Sequence, residues 1–279
     1  MRNIAFLIML ILPVNVCFAQ ENVKKRQKTK TIQQTTIKQT QVQQKTITGV
    51  KTLSNRKIVI PAKSPEEIAR EKAFNWLAPF KNYGNFYTPE TITTLSVLDL
   101  STGSPVINGV ARTYYMCDDS LVHLKQFTGL KRLVTTTWMS NKGLDHIAAL
   151  QNLNALYMGK TSVNNAGLSK IANLQQLETL VMFDTSISND GLEQIALQFP
   201  GLKILNIGNT AVNDNGLVHL AKLPYLENLI LTRGNFTDNA IPHILQLQNL
   251  KLISVEFTQM TQSGKDQLRA AFPNATIID

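Results

Sequence analysis

The four histidines of the chain, His123, His146, His219 and His243, are its most obvious candidates for chemistry. A neutral imidazole binds zinc and moves protons near neutral pH. Their spacing argues against both roles. Each stands three residues after the first position of a recurring unit, and the equivalent places in other units hold Lys170, Gln194 and Gln267. Zinc needs convergent ligands, typically about four. No Cys or carboxylate joins the column consistently; Asp145 and Glu193 are single neighbours. A polar column on the outer face of successive helices explains the pattern, and neither a metal nor a cofactor is expected. Asp118 and Asp119 are adjacent, which at a turn reads as capping and solvation. No nucleophile elbow, phosphate loop, His-Glu-x-x-His helix or pair of catalytic carboxylates is present, so the sequence does not read as an enzyme.

The elements that would position such residues come from the recurring unit. Copies begin at residues 120, 143, 167, 191, 216, 240 and 264, in steps of 23, 24, 24, 25, 24 and 24. A fixed period in this range marks a solenoid, whose copies are too small to bury a core alone and must stack. Each copy has two halves. Leu168, Ile171 and Leu174 are three apart, the spacing of one helical face. Leu180 and Met182 are two apart, the spacing of a strand with one buried side. Ser140, Asn164, Ser188, Asn213, Thr237 and Thr261 stand at the turn into each helix and are good N-cap types.

The string Leu153, Leu156, Met158, Thr161, repeated as Leu177, Leu180, Met182, Thr185, resembles the leucine-rich repeat, in a longer variety with Thr in place of the usual Asn. The likeness is to the repeats of bacterial extracellular proteins and to the cysteine-containing class of F-box substrate receptors. It covers about residues 120–279, with departures at Gly234 and around Trp138. The resemblance implies an α/β fold, a right-handed solenoid with a parallel β-sheet on its concave face and short helices on its convex face.

On that pattern, alternate strand residues line the concave face. The first outward column is Arg132, Ala155, Thr179, Ile204, Asn228 and Leu252; the second is Val134, Tyr157, Val181, Asn206, Ile230 and Ser254. Past the strands come Phe183 and Glu256, then Lys160, Asp184, Asn209, Arg233 and Phe257. Apolar groups exposed in the middle of such a face, with aromatics and Arg beside them, are the usual anchors of an interface. The candidate binding residues are therefore Arg132, Tyr157, Lys160, Val181, Phe183, Asp184, Asn206, Ile230, Arg233 and Phe257. Six strands about 4.8 Å apart give a face on the order of 25 Å long, enough for a peptide or the edge of a protein.

Ahead of the repeats the composition changes twice. Residues 1–19 have Arg2, an apolar run from Ile4 to Val16 and Ala19 before Gln20, the pattern of a secretory signal peptide. Residues 20–63 are rich in Gln, Thr and Lys, with eleven Lys or Arg against the single acid Glu21. That stretch has too few large apolar groups to fold alone and reads as a disordered tail. From Ser64 onward 16 basic residues face 18 acidic ones, so the formal net charge of +9 belongs to the tail. A nucleic-acid partner is thereby excluded. The tail can instead reach an anionic envelope surface such as lipid headgroups or acidic glycan.

Ser64-Pro65-Glu66-Glu67 is a strong helix start with a capping box. Residues 64–119 read as an N-terminal cap, with the aromatics Trp76, Phe80, Tyr83, Phe86 and Tyr87, an atypical first strand at 92–101 and a hairpin within 104–117. If Cys17 leaves with the signal, Cys117 is the one remaining thiol and no internal disulfide forms. The sequence thus describes an exported monomer, periplasmic, envelope-associated or secreted, that recognises a protein or peptide of unknown identity. The second reading is a structural envelope protein held by its basic tail.

Overall fold

The computed structural model describes residues 63–77, 92–100, 106–107, 110–111, 118–135 and 139–279. The signal sequence expected over 1–19 and all of the basic tail expected over 20–63 except Lys63, the aromatics Phe80, Tyr83, Phe86 and Tyr87, and Cys117 and Trp138 lie outside them.

One strand per repeat stacks into an eight-stranded parallel sheet. Its strands are β1 (Val97–Asp99), β4 (Arg132–Val134), β5 (Ala155–Tyr157), β6 (Thr179–Val181), β7 (Ile204–Asn206), β8 (Asn228–Ile230), β9 (Leu252–Ser254) and β10 (Thr276–Ile278), hydrogen-bonded in that order. At about 4.8 Å per step the face runs roughly 34 Å. The central residue of each strand faces the core: Leu98, Leu133, Leu156, Leu180, Leu205, Leu229 and Ile253 are fully buried and in register, with Ile277 of β10 partly buried at the end of the row. The first strand expected near 92–101 is β1, backed by buried Leu95 and Leu100. The hairpin expected within 104–117 is β2 (Val106–Ile107) paired antiparallel with β3 (Val110–Ala111).

Ahead of the sheet, α1 (Pro65–Leu77) starts with the capping box its sequence announces. Ser64 N donates to Glu67 Oε2 at 2.6 Å and Glu67 N donates to Ser64 Oγ at 3.1 Å. The bonds from Ser64, the backbone one first, hold the Glu67 carboxyl below its ordinary pKa.

The helical halves differ, and the apolar spacing says why. Ile171, Leu174 and Leu177 are three apart, as are Leu220, Leu223 and Leu226, all buried. A spacing of three matches the 3.0 residues per turn of a 3₁₀ helix. Copies with this spacing carry 3₁₀ turns at Asp118–Gln126, Ser169–Ile171, Asp214–Lys222 and Asp238–Ala240 and α-helices of only four residues, among them α2 (Leu144–Ile147) and α3 (Asn165–Leu168). In the 25-residue copy one extra residue makes the sequence Ile195, Phe199, Leu202, a spacing of four and then three. There the α-helix α4 runs for ten residues, Asn189–Gln198. After α5 (Ile241–Ile244), the spacing Leu268, Phe272, Ala275 again gives a ten-residue helix, α6 (Gln262–Ala271).

Thr at the family's usual Asn position is buried and donates to the carbonyl three residues back. Thr161 bonds Met158 O at 2.8 Å, Thr185 bonds Met182 O at 2.6 Å and Thr210 bonds Ile207 O at 2.7 Å. At the departure, Gly234, the Phe236 ring fills the space: a Cβ added to Gly234 would meet Phe236 Cε2 at 2.2 Å. The Thr-plus-Val or Thr-plus-Ile pair of the sister repeats is replaced by Gly plus Phe, a swap that conserves volume.

Candidate functional site

The turn leaving each strand takes one unusual conformation. Lys160, Asp184, Asn209, Arg233 and Phe257 all have positive φ, from 49° to 60°. Asn and Asp tolerate this left-handed region, whereas Lys, Arg and Phe enter it at a cost. The turn geometry imposes it in five successive repeats, and no copy uses glycine there. The result is a column of side chains presented alike, one per strand, along the rim of the concave face. Backbone bonds hold it: Lys160 N donates to Phe183 O at 2.8 Å, Asp184 N to Gly208 O at 3.0 Å and Arg233 N to Glu256 O at 2.8 Å.

Three cations on this side lie over the aromatic ring of the next repeat. Arg132 Cζ is 4.6 Å from the Tyr157 ring centroid, Lys160 Nζ 5.8 Å from that of Phe183, and Arg233 Cζ 5.4 Å from that of Phe257. Such contacts favour the cation electrostatically and keep both partners extended over the surface. The Phe183 ring is seated on Gly159, where an added Cβ would come within 2.3 Å of it. Phe257 is the most exposed large apolar side chain among the described residues, at 73%.

Between the last two of these pairs lies an open cleft of about 430 Å³. Of the residues expected to bind, it brings together Lys160, Phe183, Asp184, Asn206, Ile230, Arg233 and Phe257. Gly208, Asn209, Thr232 and Glu256 complete its lining. Asn209 Nδ2 donates to Asp184 Oδ1, Asn206 Oδ1 accepts from Gly208 N at 3.0 Å, and Thr232 and Ser254 hydroxyls are 2.8 Å apart. Arg132 and Tyr157 lie outside the cleft, as a separate pair on β4 and β5. Val181 corrects the sequence expectation: it is 9% exposed rather than open to solvent. Tyr157 and Asn206 stand beside it in register on the neighbouring strands and leave it little accessible surface. Tyr157, Phe183, Ile204 and Ile230 are half-buried rather than fully exposed.

On the opposite side, His123, His146, His219 and His243 sit half-buried on the helical segments. His219 Nδ1 is 3.7 Å from Glu193 Oε1, which Lys222 also approaches at 3.4 Å. Among the described residues no three His, Cys, Asp or Glu side chains are grouped closely enough to hold a metal. Burial, followed by the charges of Lys125 and Lys72, pushes the His123 pKa down. Asp118 does more than solvate a turn: it accepts from Ser140 N at 2.8 Å and from Ser140 Oγ, tying one repeat to the next.

No protein-family model and no curated protein matches this sequence. Among solved structures, an internalin (InlF) of Listeria monocytogenes aligns with a TM-score of 0.50 at 21% identity, over 68% of this chain and 49% of that one. Internalin C2 of the same organism aligns with a TM-score of 0.46 at 18% identity, over 81% of this chain and 98% of that one. The chain therefore spans about half the length of the first. With its long parallel sheet and short helices, the protein has the fold of a leucine-rich repeat solenoid, as the internalins do.

Proposed function

We propose that this protein is an exported, non-enzymatic recognition module that binds a protein or peptide segment in the cleft on the C-terminal half of its concave rim. Export rests on the signal-like residues 1–19; the tail after them suits a periplasmic, envelope-associated or secreted setting. The observation that carries the recognition role is Phe257, a bulky side chain held at a φ of 56° and 73% exposed. A phenyl group placed there buries little surface and meets the Arg233 guanidinium across the ring, and strained, exposed residues concentrate where ligands are held. Lys160 over Phe183 and Arg233 over Phe257 bracket the same cleft, supplying the aromatic and cationic anchors that dominate interface energetics.

The test is selection of a displayed random-peptide library on the mature chain, with Phe183→Ala and Phe257→Ala as counter-targets. Peptides that bind the wild-type protein and lose roughly tenfold or more in affinity for either variant support the reading. Enriched peptides that bind both variants unchanged, with melting curves also unchanged, would place the ligand elsewhere and overturn it.

A further inference from the structure

Resting on that reading, the cleft also specifies the charge of its ligand. We infer that it takes an extended peptide segment with acidic side chains at positions i and i+4 and no acid at i+2. Lys160 and Arg233 are the cations of the cleft. Elsewhere five cations, Lys170, Lys203, Lys222, Lys251 and Arg269, take a carboxylate between 2.5 and 3.4 Å away, while Arg132, outside the cleft, lies over the Tyr157 ring. Lys160 and Arg233 are exposed and have no such partner among the described residues; each lies over a ring instead. The Phe183 and Phe257 rings orient the two charges without neutralising them, so both remain available to an acidic ligand.

The spacing follows from the sheet. Lys160 leaves β5 and Arg233 leaves β8, three steps along the ladder. At about 4.8 Å per step the two rows are roughly 14 Å apart. An extended peptide laid along the solenoid axis places side chains on one side every ~6.8 Å, so residues i and i+4 are about 14 Å apart. Acids at those positions reach both cations in one register. Between them the rim offers Asp184, already accepting from Asn209, and an acid at i+2 would be repelled there. A neutral or basic donor at i+2 fits. Past Arg233 the rim ends on Phe257, with the Glu256 carboxylate beside it in the cleft. An apolar residue two beyond the second acid would cover the phenyl ring, and a further acid would meet Glu256.

The mature chain is tested by fluorescence anisotropy with labelled extended peptides in both sequence directions. One set carries Glu at i and i+4 with Gln at i+2, a second Lys at i and i+4, and a third the two Glu residues two apart. The expected result is at least roughly tenfold tighter binding of the first set than of the others, weakening as salt is raised. Lys160→Glu with Arg233→Glu should reverse the preference toward the Lys set, a rescue that mere loss of folding cannot produce. Equal binding of all three sets, with Phe183→Ala still abolishing it, overturns the charge rule and leaves the recognition site standing. Binding of every set that is unaffected by Phe183→Ala and Phe257→Ala, or absent from every set together with a peptide selection that yields nothing, overturns both.

Discussion

Thr237 donates twice to one carboxylate of the preceding repeat: its N–H to Asp214 Oδ1 at 2.9 Å and its hydroxyl to Asp214 Oδ2 at 2.6 Å. The same hydroxyl accepts from Asn239 N at 3.2 Å and so caps its own helical turn. Asp238 repeats the arrangement on Thr261; Asn165 and Asn189 make the same two-point contact with Ser188 and Asn213, accepting from the cap's N–H through Oδ1 but donating Nδ2 to its side-chain oxygen. The residue after each cap therefore secures the next cap, and the copies are bolted together along this edge as well as through the sheet. Ser188 shows the cost to the cap: its hydroxyl accepts from Asn165 and makes no bond into α4. Gly191 leaves the room this requires, since a Cβ there would sit 2.2 Å from Asn165 Oδ1.

Asp214→Ala removes both acceptors of a half-buried pair and should cost about 1–3 kcal/mol, whereas Asn215→Ala on the exposed side of the same turn should stay within about 0.5 kcal/mol. Urea unfolding followed by circular dichroism compares them. Equal midpoints would show that the inter-repeat bonds only replace bonds to water.

The Gly234–Phe236 exchange makes a double-mutant cycle. Gly234→Thr drives a side chain into the Phe236 ring and Phe236→Val empties a fully buried site; each alone should cost about 2–4 kcal/mol. Together they restore the pairing of Thr161 with Val163, and should recover about 1–3 kcal/mol relative to the sum. Strict additivity in urea melts would refute the idea that the two positions share one volume.

The array itself could be read from sequence because it is written in apolar residues at fixed intervals: Leu205 and Leu229 had to face inward whatever their neighbours were. Even the lengthening of the α-helix to ten residues before Phe199 is present in the spacing of Ile195, Phe199 and Leu202. Other features depend on what the adjacent copy supplies. Val181 alternates like an outward residue, yet Tyr157 and Asn206 beside it leave it buried. The column of Asp118, Asn141, Asn165, Asn189, Asp214 and Asp238 was visible as a repeat, but a polar residue following a cap ordinarily meets only water. The cleft was the least legible part. Its rim depends on a left-handed turn that no glycine marks, so Asn209 and Glu256 could be placed in columns beside Arg233 but not recognised as lining one cleft with it.

His123 gives the fold a pH dependence with a definite sign. Burial, with Lys125 and Lys72 nearby, depresses its folded pKa below the ordinary value of 6.5. The unfolded chain then binds the proton more readily, so stability is full above about pH 6.5 and falls as pH drops toward the folded pKa. His123→Gln should flatten that decline. Thermal melts of both proteins between about pH 5 and 7.5 measure it, and parallel curves would remove His123 as the source.

Phe257→Gly separates folding from recognition. The φ of 56° strains phenylalanine, and glycine adopts it freely. The gain is partly offset because glycine leaves the unfolded chain more freedom. Since the phenyl group is 73% exposed, little buried surface is lost. The variant should therefore unfold at the same denaturant concentration or be up to about 1 kcal/mol more stable, while its affinity for selected peptides drops. A residue kept at some cost to the fold, and missed only by the ligand, belongs to a binding site. If Phe257→Gly instead destabilises the protein by more than about 1 kcal/mol, the ring is packing against the last repeat, and the open rim loses its main anchor.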